Sequence, residues 1–492
     1  MLSLKQIRAI SKEQGHKTVL FDNNKSIDWI EYKMLVEQNI LTLLKNGMIN
    51  EKTTRAIIIS ENRWELLVLS SVLGTLGIAY SGIDYTQAED KKIESINVSN
   101  ANTVFFSETK KPSTGMLGTL SSDIRYFNIN SIHDVIYENP TKIVDKQIEN
   151  FKHKDDIVSF SFTSGTTGLP KAIYRTSSFD KQRIDILTKK YNFDYNDIYL
   201  ITLPLYHVSV IGWIKLTLVN GGSIVFSDFN SKKDLYYKLT NYNVSAFLIT
   251  PPVLKIMVDE LETNRFINKT VRFIMVGGKN LPTILKDRTM ALFGPVLNEY
   301  YGSSETGINT LSDSIDEVRY PASSGRVMEG SDIAIIDDLG NNLGIEEIGH
   351  IAIHSFQNAS GYINREMKEV IFNKKKYVFT SDFGYKNREG YIFVTQRVLF
   401  DNNTVLNNLF NLENNIRLLR GVSDVVIVEN ENNTYSINVE FENNVSTLGK
   451  NIVKNAINGL LSNTVGEFII NLDTHINYSL SGKVKYNEFL EE

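Results

Sequence analysis

The run Ser161-Phe-Thr-Ser-Gly-Thr-Thr-Gly-Leu-Pro-Lys171 concentrates groups that bind an anion. Gly165 and Gly168 let backbone N–H groups approach closely. Thr163, Ser164, Thr166 and Thr167 add hydroxyl donors, and Lys171 adds a positive charge. Together they make a cradle for a polyphosphate. It is not a Walker A loop, because Ala172 follows Lys171 and no hydroxyl is set there for a metal ion. Cysteine is absent, so thiolate metal sites, disulfides and cysteine nucleophiles are excluded.

The elements that must position this loop alternate between strand and helix. Thr18–Phe21, Arg55–Ser60 and Thr103–Phe106 are short apolar runs rich in β-branched or aromatic residues, which predicts strands. Further strands are predicted at Ile198–Leu203, Ser223–Phe226, Ala246–Thr250 and Arg272–Val276. The spacing of Ile30, Met34, Leu35, Ile40, Leu41 and Leu44 predicts a helix over Trp29–Lys45. Helices are also predicted from Asn62, at Ser231–Leu239 and at Pro252–Leu261. Repeated strand–helix units predict an α/β class with mainly parallel sheets flanked by helices. After about Gly390 the texture changes. Asp424–Glu429 and Tyr435–Phe441 alternate like an exposed antiparallel pair, Ile452–Leu461 reads as a helix and Glu467–Asp473 as a strand. This predicts a small C-terminal α+β domain.

The chain has 492 residues, enough for roughly three domains' worth of fold units. It is 42% hydrophobic and 22% charged, which is ordinary globular usage, and its formal net charge is −5. That balance gives no global electrostatic reason to bind nucleic acid or an anionic membrane. Leu66–Ile83 carries no charge, but it includes Ser70, Ser71, Gly74, Thr75, Gly77 and Ser81 among its apolar residues, which favours a buried helix over a membrane span. The N-terminal stretch reads as a short amphipathic helix rather than a signal peptide, and the expected location is cytoplasmic.

Several motifs occur in a set order: Asn62-Arg-Trp-Glu-Leu, Gly82-Ile-Asp84, the 161–171 loop, Leu203-Pro-Leu-Tyr-His207, Gly277-Gly278, Tyr300-Tyr-Gly-Ser-Ser-Glu-Thr306, Thr380-Ser-Asp382, Gln396-Arg397 and Ser481-Gly-Lys483. In this set the chain resembles the AMP-binding, adenylate-forming superfamily of acyl- and aryl-CoA synthetases, peptide-synthetase adenylation domains and luciferases. The motifs are most similar to those of bacterial acyl- or aryl-CoA ligases.

The resemblance implies an N-terminal AMP-binding domain, 1–396, and a mobile C-terminal lid, 397–492, carrying Lys483. It implies ATP, Mg²⁺ and coenzyme A as cofactors. Thr163 to Gly168 and Lys171 would cradle phosphate, and Tyr301 with Gly302 would stack adenine. Ser304, in a place where the family usually has Thr, keeps a hydroxyl for phosphate. Glu305 would supply a hard oxygen ligand to Mg²⁺. Asp382 would accept ribose hydroxyls and Arg397 would bind ribose or phosphate. Lys483 would stabilise charge developing at the α-phosphate, with His207, Glu305 and Thr306 as its catalytic companions. His207, Trp213, Gly277 and Gly278 would line the acid pocket. The position of His207 usually holds Asp in amino-acid-activating relatives, so an uncharged fatty, branched or aryl acid is expected. That acid would become acyl-AMP with release of pyrophosphate and then pass to the thiol of coenzyme A, placing the protein in fatty-acid or aryl-acid metabolism.

Some positions depart from the pattern. Leu399 stands where the family has Asp or Lys, Asn402–Asn408 replace a Gly-Gly loop, Ser381 replaces Gly, and Glu347-Ile-Gly-His350 lacks the usual Gly-Glu pair. The adenylation residues are better kept than those of thiol transfer. A stand-alone adenylating enzyme that loads an acyl carrier protein or another acceptor is therefore the alternative, and a non-catalytic nucleotide-binding relative is a third reading.

Overall fold

The computed structural model describes residues 1–477 apart from 24, 133–136, 139, 152, 154, 164–169, 279–280, 398–408, 410–411, 414, 431–433, 443–444 and 463–465. The chain has an α/β fold and divides into two compact units. The first comprises Met1–Asp228, Val244–Ala246 and Gln357–Met367; the second comprises Phe229–Asn243, Phe247–Phe356 and Lys368–Glu492.

In the first unit, Ala56–Ile59 lies between Tyr80–Gly82 and Thr103–Phe106, and Arg125–Asn128 follows on the outside. All these pairings are parallel. Ala56–Ile59 and Thr103–Phe106 are buried at every residue, as expected for strands covered on both faces. A second sheet sets Ile198–Leu200, Ser223–Val225 and Thr18–Asp22 in parallel, with Lys25–Asp28 returning antiparallel beside Thr18–Asp22. The third is the hairpin Ser159–Thr163 and Lys171–Arg175, extended by Gly361–Tyr362.

The uncharged run 66–83 is not one element. The helix Trp64–Thr75 is buried along Glu65–Leu73, then Gly77 turns the chain at φ +74° and the strand Tyr80–Gly82 follows. Among the described residues no helix is long and apolar enough to cross a membrane. The run is apolar because protein surrounds it on all sides.

The helix Trp29–Lys45 buries Trp29, Tyr32, Val36, Ile40 and Leu43, a spacing of three and four that makes one face. Met34, expected on that face, is exposed. Asp28 caps the helix by accepting from the Glu31 N–H at 2.8 Å. Asp28→Ala should lower unfolding stability by about 1 kcal/mol and Asp28→Asn by much less, as read from urea midpoints.

In the second unit, Phe273–Val276 and Leu297–Ser303 run parallel, with Ala246–Ile249 on the other side of Phe273–Val276. Gly307–Ser312 turns back antiparallel to Leu297–Ser303 and pairs with Arg326–Val327. A separate antiparallel sheet joins Ser331–Ile336, Gly349–Ser355, Lys375–Lys386 and Glu369–Phe372, with Ile392–Arg397 also on Lys375–Lys386.

The C-terminal strands Val422–Glu429 and Thr434–Phe441 are antiparallel, and Glu467–Leu472 adds in parallel. The expected pair is present but not exposed: 422–428 are all buried. The helix Thr447–Leu461 and Leu409, Leu412 and Ile416 contribute to the core that covers it.

Candidate functional site

The hairpin of the second unit gathers four of the expected residues, Tyr301, Gly302, Ser304 and Glu305. Strand Leu297–Ser303 carries Tyr300, Tyr301, Gly302 and Ser303, and the turn 304–306 leads into Gly307–Ser312. The register shifts between Tyr301 and Gly302, which marks an irregularity beside the turn. A β-carbon on Gly302 would collide with the Gly307 carbonyl, so only glycine lets the two strands approach this closely. The turn is tied from within. Ser303 Oγ and Thr306 Oγ1 lie 3.0 Å apart, the Thr306 N–H donates to Ser303 Oγ at 3.3 Å, and Asn309 Nδ2 donates to Thr306 Oγ1 at 2.7 Å. Thr306 is fully buried. Its hydroxyl therefore supports the turn that carries Ser304 and Glu305.

Tyr301 reaches across the fold. Its hydroxyl donates to Asp382 Oδ2 at 2.6 Å, and Asp382 is 3% exposed. Asp382 is held by its own N–H, which donates to Thr380 Oγ1 at 3.1 Å, while Thr380 Oγ1 donates to the Ile351 carbonyl at 2.7 Å. Arg397 is the direct strand partner of Asp382. The sheet thus brings Tyr301, Asp382 and the backbone of Arg397 together, although 81 residues separate the first two. Gly277 and Gly278 end the strand Phe273–Val276. A β-carbon on Gly277 would strike the Tyr300 ring, and Gly278 has φ +93° with the Thr250 methyl 3.8 Å from its ideal Cβ position.

The first unit holds the other groups. Thr163 pairs with Lys171, so the phosphate loop is the connection of an antiparallel hairpin. Ser164, Gly165, Thr166, Thr167 and Gly168 lie outside the described residues, as does Lys483. His207 precedes the helix Val208–Val219, and its ring centroid lies 4.6 Å from that of Tyr206. Tyr206 packs edge-on to Tyr85 at 5.9 Å, and its Cα would be 2.7 Å from a β-carbon on Gly82. Trp213 is 2% exposed and packs on Tyr191 and Phe193, which makes it a core residue of its helix rather than an accessible pocket wall.

Two features had no role in the sequence reading. Asn62 clamps the segment before His207: Nδ2 donates to the Leu203 carbonyl at 2.9 Å and Oδ1 accepts from the Leu205 N–H at 2.8 Å. Only its place in the Asn62-Arg-Trp-Glu-Leu motif hinted at this. The other is a buried charge cluster beneath the Tyr301 strand. Lys286 Nζ lies 2.5 Å from Glu299 Oε1 and is bonded to Glu317, which also accepts from Ser312 Oγ. Burial pushes the Glu299 carboxyl up, the Glu317 charge adds to this and Lys286 opposes it, leaving it at about 8. Burial disfavours the Lys286 charge, but the two carboxylates outweigh it and hold its pKa above the ordinary value.

Among the described residues no group of three or more His, Asp or Glu could hold a metal ion alone. Glu305, a single carboxylate among hydroxyls, suits Mg²⁺ whose remaining ligands are phosphate oxygens and water.

A model of the family described as AMP-binding enzyme matches residues 7–363. The 4-coumarate–CoA ligase 4 of Arabidopsis thaliana is 26% identical over 257 residues, covering 50% of this chain and 45% of that protein. The 4-coumarate–CoA ligase of Pinus taeda is 28% identical over 263 residues, covering 50% and 48%. The chain thus spans about half the length of the curated relatives it matches. Among solved structures, o-succinylbenzoate CoA synthetase (MenE) of Bacillus subtilis, in complex with its acyl-adenylate intermediate, superposes with a TM-score of 0.79 at 17% identity, over 99% of this chain and 98% of that one. The amide bond synthetase McbA of Marinactinospora thermotolerans gives 0.79 at 16%, over 99% and 98%. At these identities the likeness is one of fold. The family match takes in the phosphate-loop hairpin, the 203–207 segment and the Tyr301 turn, and by that match the chain belongs to the AMP-binding enzyme family.

Proposed function

We propose that the protein is an AMP-forming acid–thiol ligase. A carboxylate attacks the α-phosphorus of ATP, forming acyl-AMP and releasing pyrophosphate. The thiol of coenzyme A then attacks the acyl carbon, forming a thioester and releasing AMP. The observation that carries this reading is the bond from the half-buried Tyr301 to the buried Asp382, with Arg397 as Asp382's strand partner and Glu305 on the turn that follows Tyr301. Tyr301 supplies a ring for adenine, Asp382 and Arg397 recognise ribose, and Ser304 with Lys171 and the loop 163–168 binds phosphate. Magnesium, held by Glu305, neutralises phosphate charge when bound. Lys483 stabilises the charge that grows at the α-phosphate, and the segment 397–492 carries it as a lid on the domain 1–396.

The acid is fatty, branched or aryl. Its pocket is drawn from His207, Gly277 and Gly278, and the proposed setting is cytoplasmic acid metabolism. The names of the matched relatives, ligases of 4-coumarate and CoA, support the aryl branch. One feature favours a second acceptor, a carrier-protein thiol or another nucleophile: Leu399 and Asn402–Asn408 depart from the family pattern where thiol transfer is served.

The test is pyrophosphate release with Mg·ATP over a panel of carboxylic acids, each with and without coenzyme A. Acid-dependent release that turns over only with coenzyme A is expected. A single-turnover burst that coenzyme A does not relieve would move the search to carrier proteins and other acceptors. No release with any acid would reject the adenylating activity.

A further inference from the structure

We propose that Lys286 is a positioning residue for the nucleotide end of the site: its buried ammonium, shared by Glu299 and Glu317, holds the strand that carries Tyr301. This rests on the nucleotide-binding reading above.

Lys286 is 4% exposed, on the helix Thr283–Phe293. Its ammonium donates to Glu317, on the short helix Ser314–Arg319, and to the Pro321 carbonyl that follows it, at 3.0 Å. It also forms an ion pair with Glu299, on the Tyr301 strand, at 2.5 Å. One cation thus ties the strand to the short helix and the segment after it. Glu299 is also the strand partner of Ser312, whose hydroxyl donates to Glu317. The cluster therefore spans both strands of the hairpin just before Tyr301, and residues 299 and 301 share a strand face.

Charge counting gives the cluster a second property. Two carboxylates face one ammonium where water is largely excluded. A net negative charge there is costly, so burial and the neighbouring Glu317 favour the protonated form of Glu299. The groups facing Glu299 are Lys286 from one helix and Glu317 from the other. The nearby acids Asp313 and Asp316 turn elsewhere: Asp313 accepts from the Ile315 and Asp316 N–H groups, and Asp316 accepts from the Tyr391 hydroxyl. Loss of the Glu299 proton leaves an uncompensated charge under the strand and loosens the seat of Tyr301. Nucleotide binding favours the seated, protonated form. Affinity is therefore steady below the titration of Glu299 and falls as pH rises past it, at about 8.

The experiment is calorimetric titration of the full chain with ATP across about pH 6.5 to 9.5, each protein normalised to its own affinity at neutral pH. Wild-type affinity should fall above pH 8 by up to about tenfold per pH unit, the limit for one proton. Glu299→Gln, which carries a permanent neutral group of the same shape, should lack that limb. Lys286→Met leaves both carboxylates without a cation and tests the hub directly; because it can fail to fold, Glu299→Gln carries the decision. A limb that persists in Glu299→Gln, or a wild-type affinity indifferent to pH, overturns the positioning role alone. A wild-type protein that binds no nucleotide at any pH overturns the parent reading, and the positioning role with it.

Discussion

Gly302→Ala is expected to cost about 3 kcal/mol or more of stability and to remove nucleotide binding. The added methyl would fall within contact distance of the Gly307 carbonyl oxygen, 3.0 Å from the carbonyl carbon and 3.2 Å from Ile308 Cα. All three are backbone atoms of the facing strand, so no side chain can swing away to make room. Gly302 pairs with Ile308 and Ser303 with Gly307, immediately after the register shift. Relief requires the hairpin to open, and opening it separates Ser303 from Thr306 and displaces the turn that carries Glu305. Gly307 sits at φ +72°, a conformation that favours glycine and sets the tight return of the chain. Gly459→Ala is the matched control. It lies inside the helix Thr447–Leu461 with nothing within 4 Å of its ideal β-carbon, so alanine there should be neutral or stabilise by about 0.5–1 kcal/mol. Urea midpoints and ATP titration of the two variants give the comparison. A wild-type midpoint and affinity in Gly302→Ala would show that the strands are not held this closely.

The parts of this fold legible in the sequence were those with a local cause. The helix Trp29–Lys45 follows from its apolar spacing, although of the six residues that predict it only Ile40 and Leu41 are buried, and the buried strands 56–59 and 103–106 follow from runs of β-branched and aromatic residues. The run 161–171 stood out by composition alone, and the pairing of Thr163 with Lys171 sets both of its ends on one hairpin. What was not legible depends on distant partners. Asp382 is recognisable as a motif residue, but nothing near it in the chain predicts that Tyr301 donates to it. Lys286 reads as a solvated charge on a helix until Glu299 and Glu317 are brought beside it. Trp213 shows the converse: placed six residues after His207 it suggested a pocket, and its packing on Tyr191 and Phe193 is decided by neighbours 20 or more residues away. The sequence predicts an exposed antiparallel pair at Asp424–Glu429 and Tyr435–Phe441. Ser423 and Asp424 are nevertheless buried, and Asp424 is enclosed by its bond to Arg417 at 2.6 Å.

Asp382→Ala should raise the KM for ATP about a hundredfold, with a smaller change in kcat. A carboxylate has about four lone-pair sites, and the bond from Tyr301 fixes how Asp382 presents them. Hydrogen bonds to a charged acceptor contribute about 1.5–3 kcal/mol each, and one or two of them account for a loss of that size. The carboxylate is pre-aimed: its backbone N–H is tied to Thr380, Thr380 to Ile351, and its oxygen to Tyr301, so little ordering is left for binding to supply. Tyr301→Phe separates aim from contact. It keeps the ring for adenine and removes only the hydroxyl, so its KM should rise about tenfold or less. Asp382→Asn should fall between the two, since the amide keeps one acceptor oxygen and loses the charge. The ribose hydroxyls take no part in the bond exchange at the α-phosphorus, so a contact to them made equally before and during the reaction is lost in KM rather than kcat. Steady-state kinetics with ATP varied at a saturating acid distinguishes these cases. If Asp382→Ala left KM unchanged and lowered kcat instead, Asp382 would belong to the chemical step, and the assignment of ribose to the Tyr301–Asp382 pair would have to be abandoned.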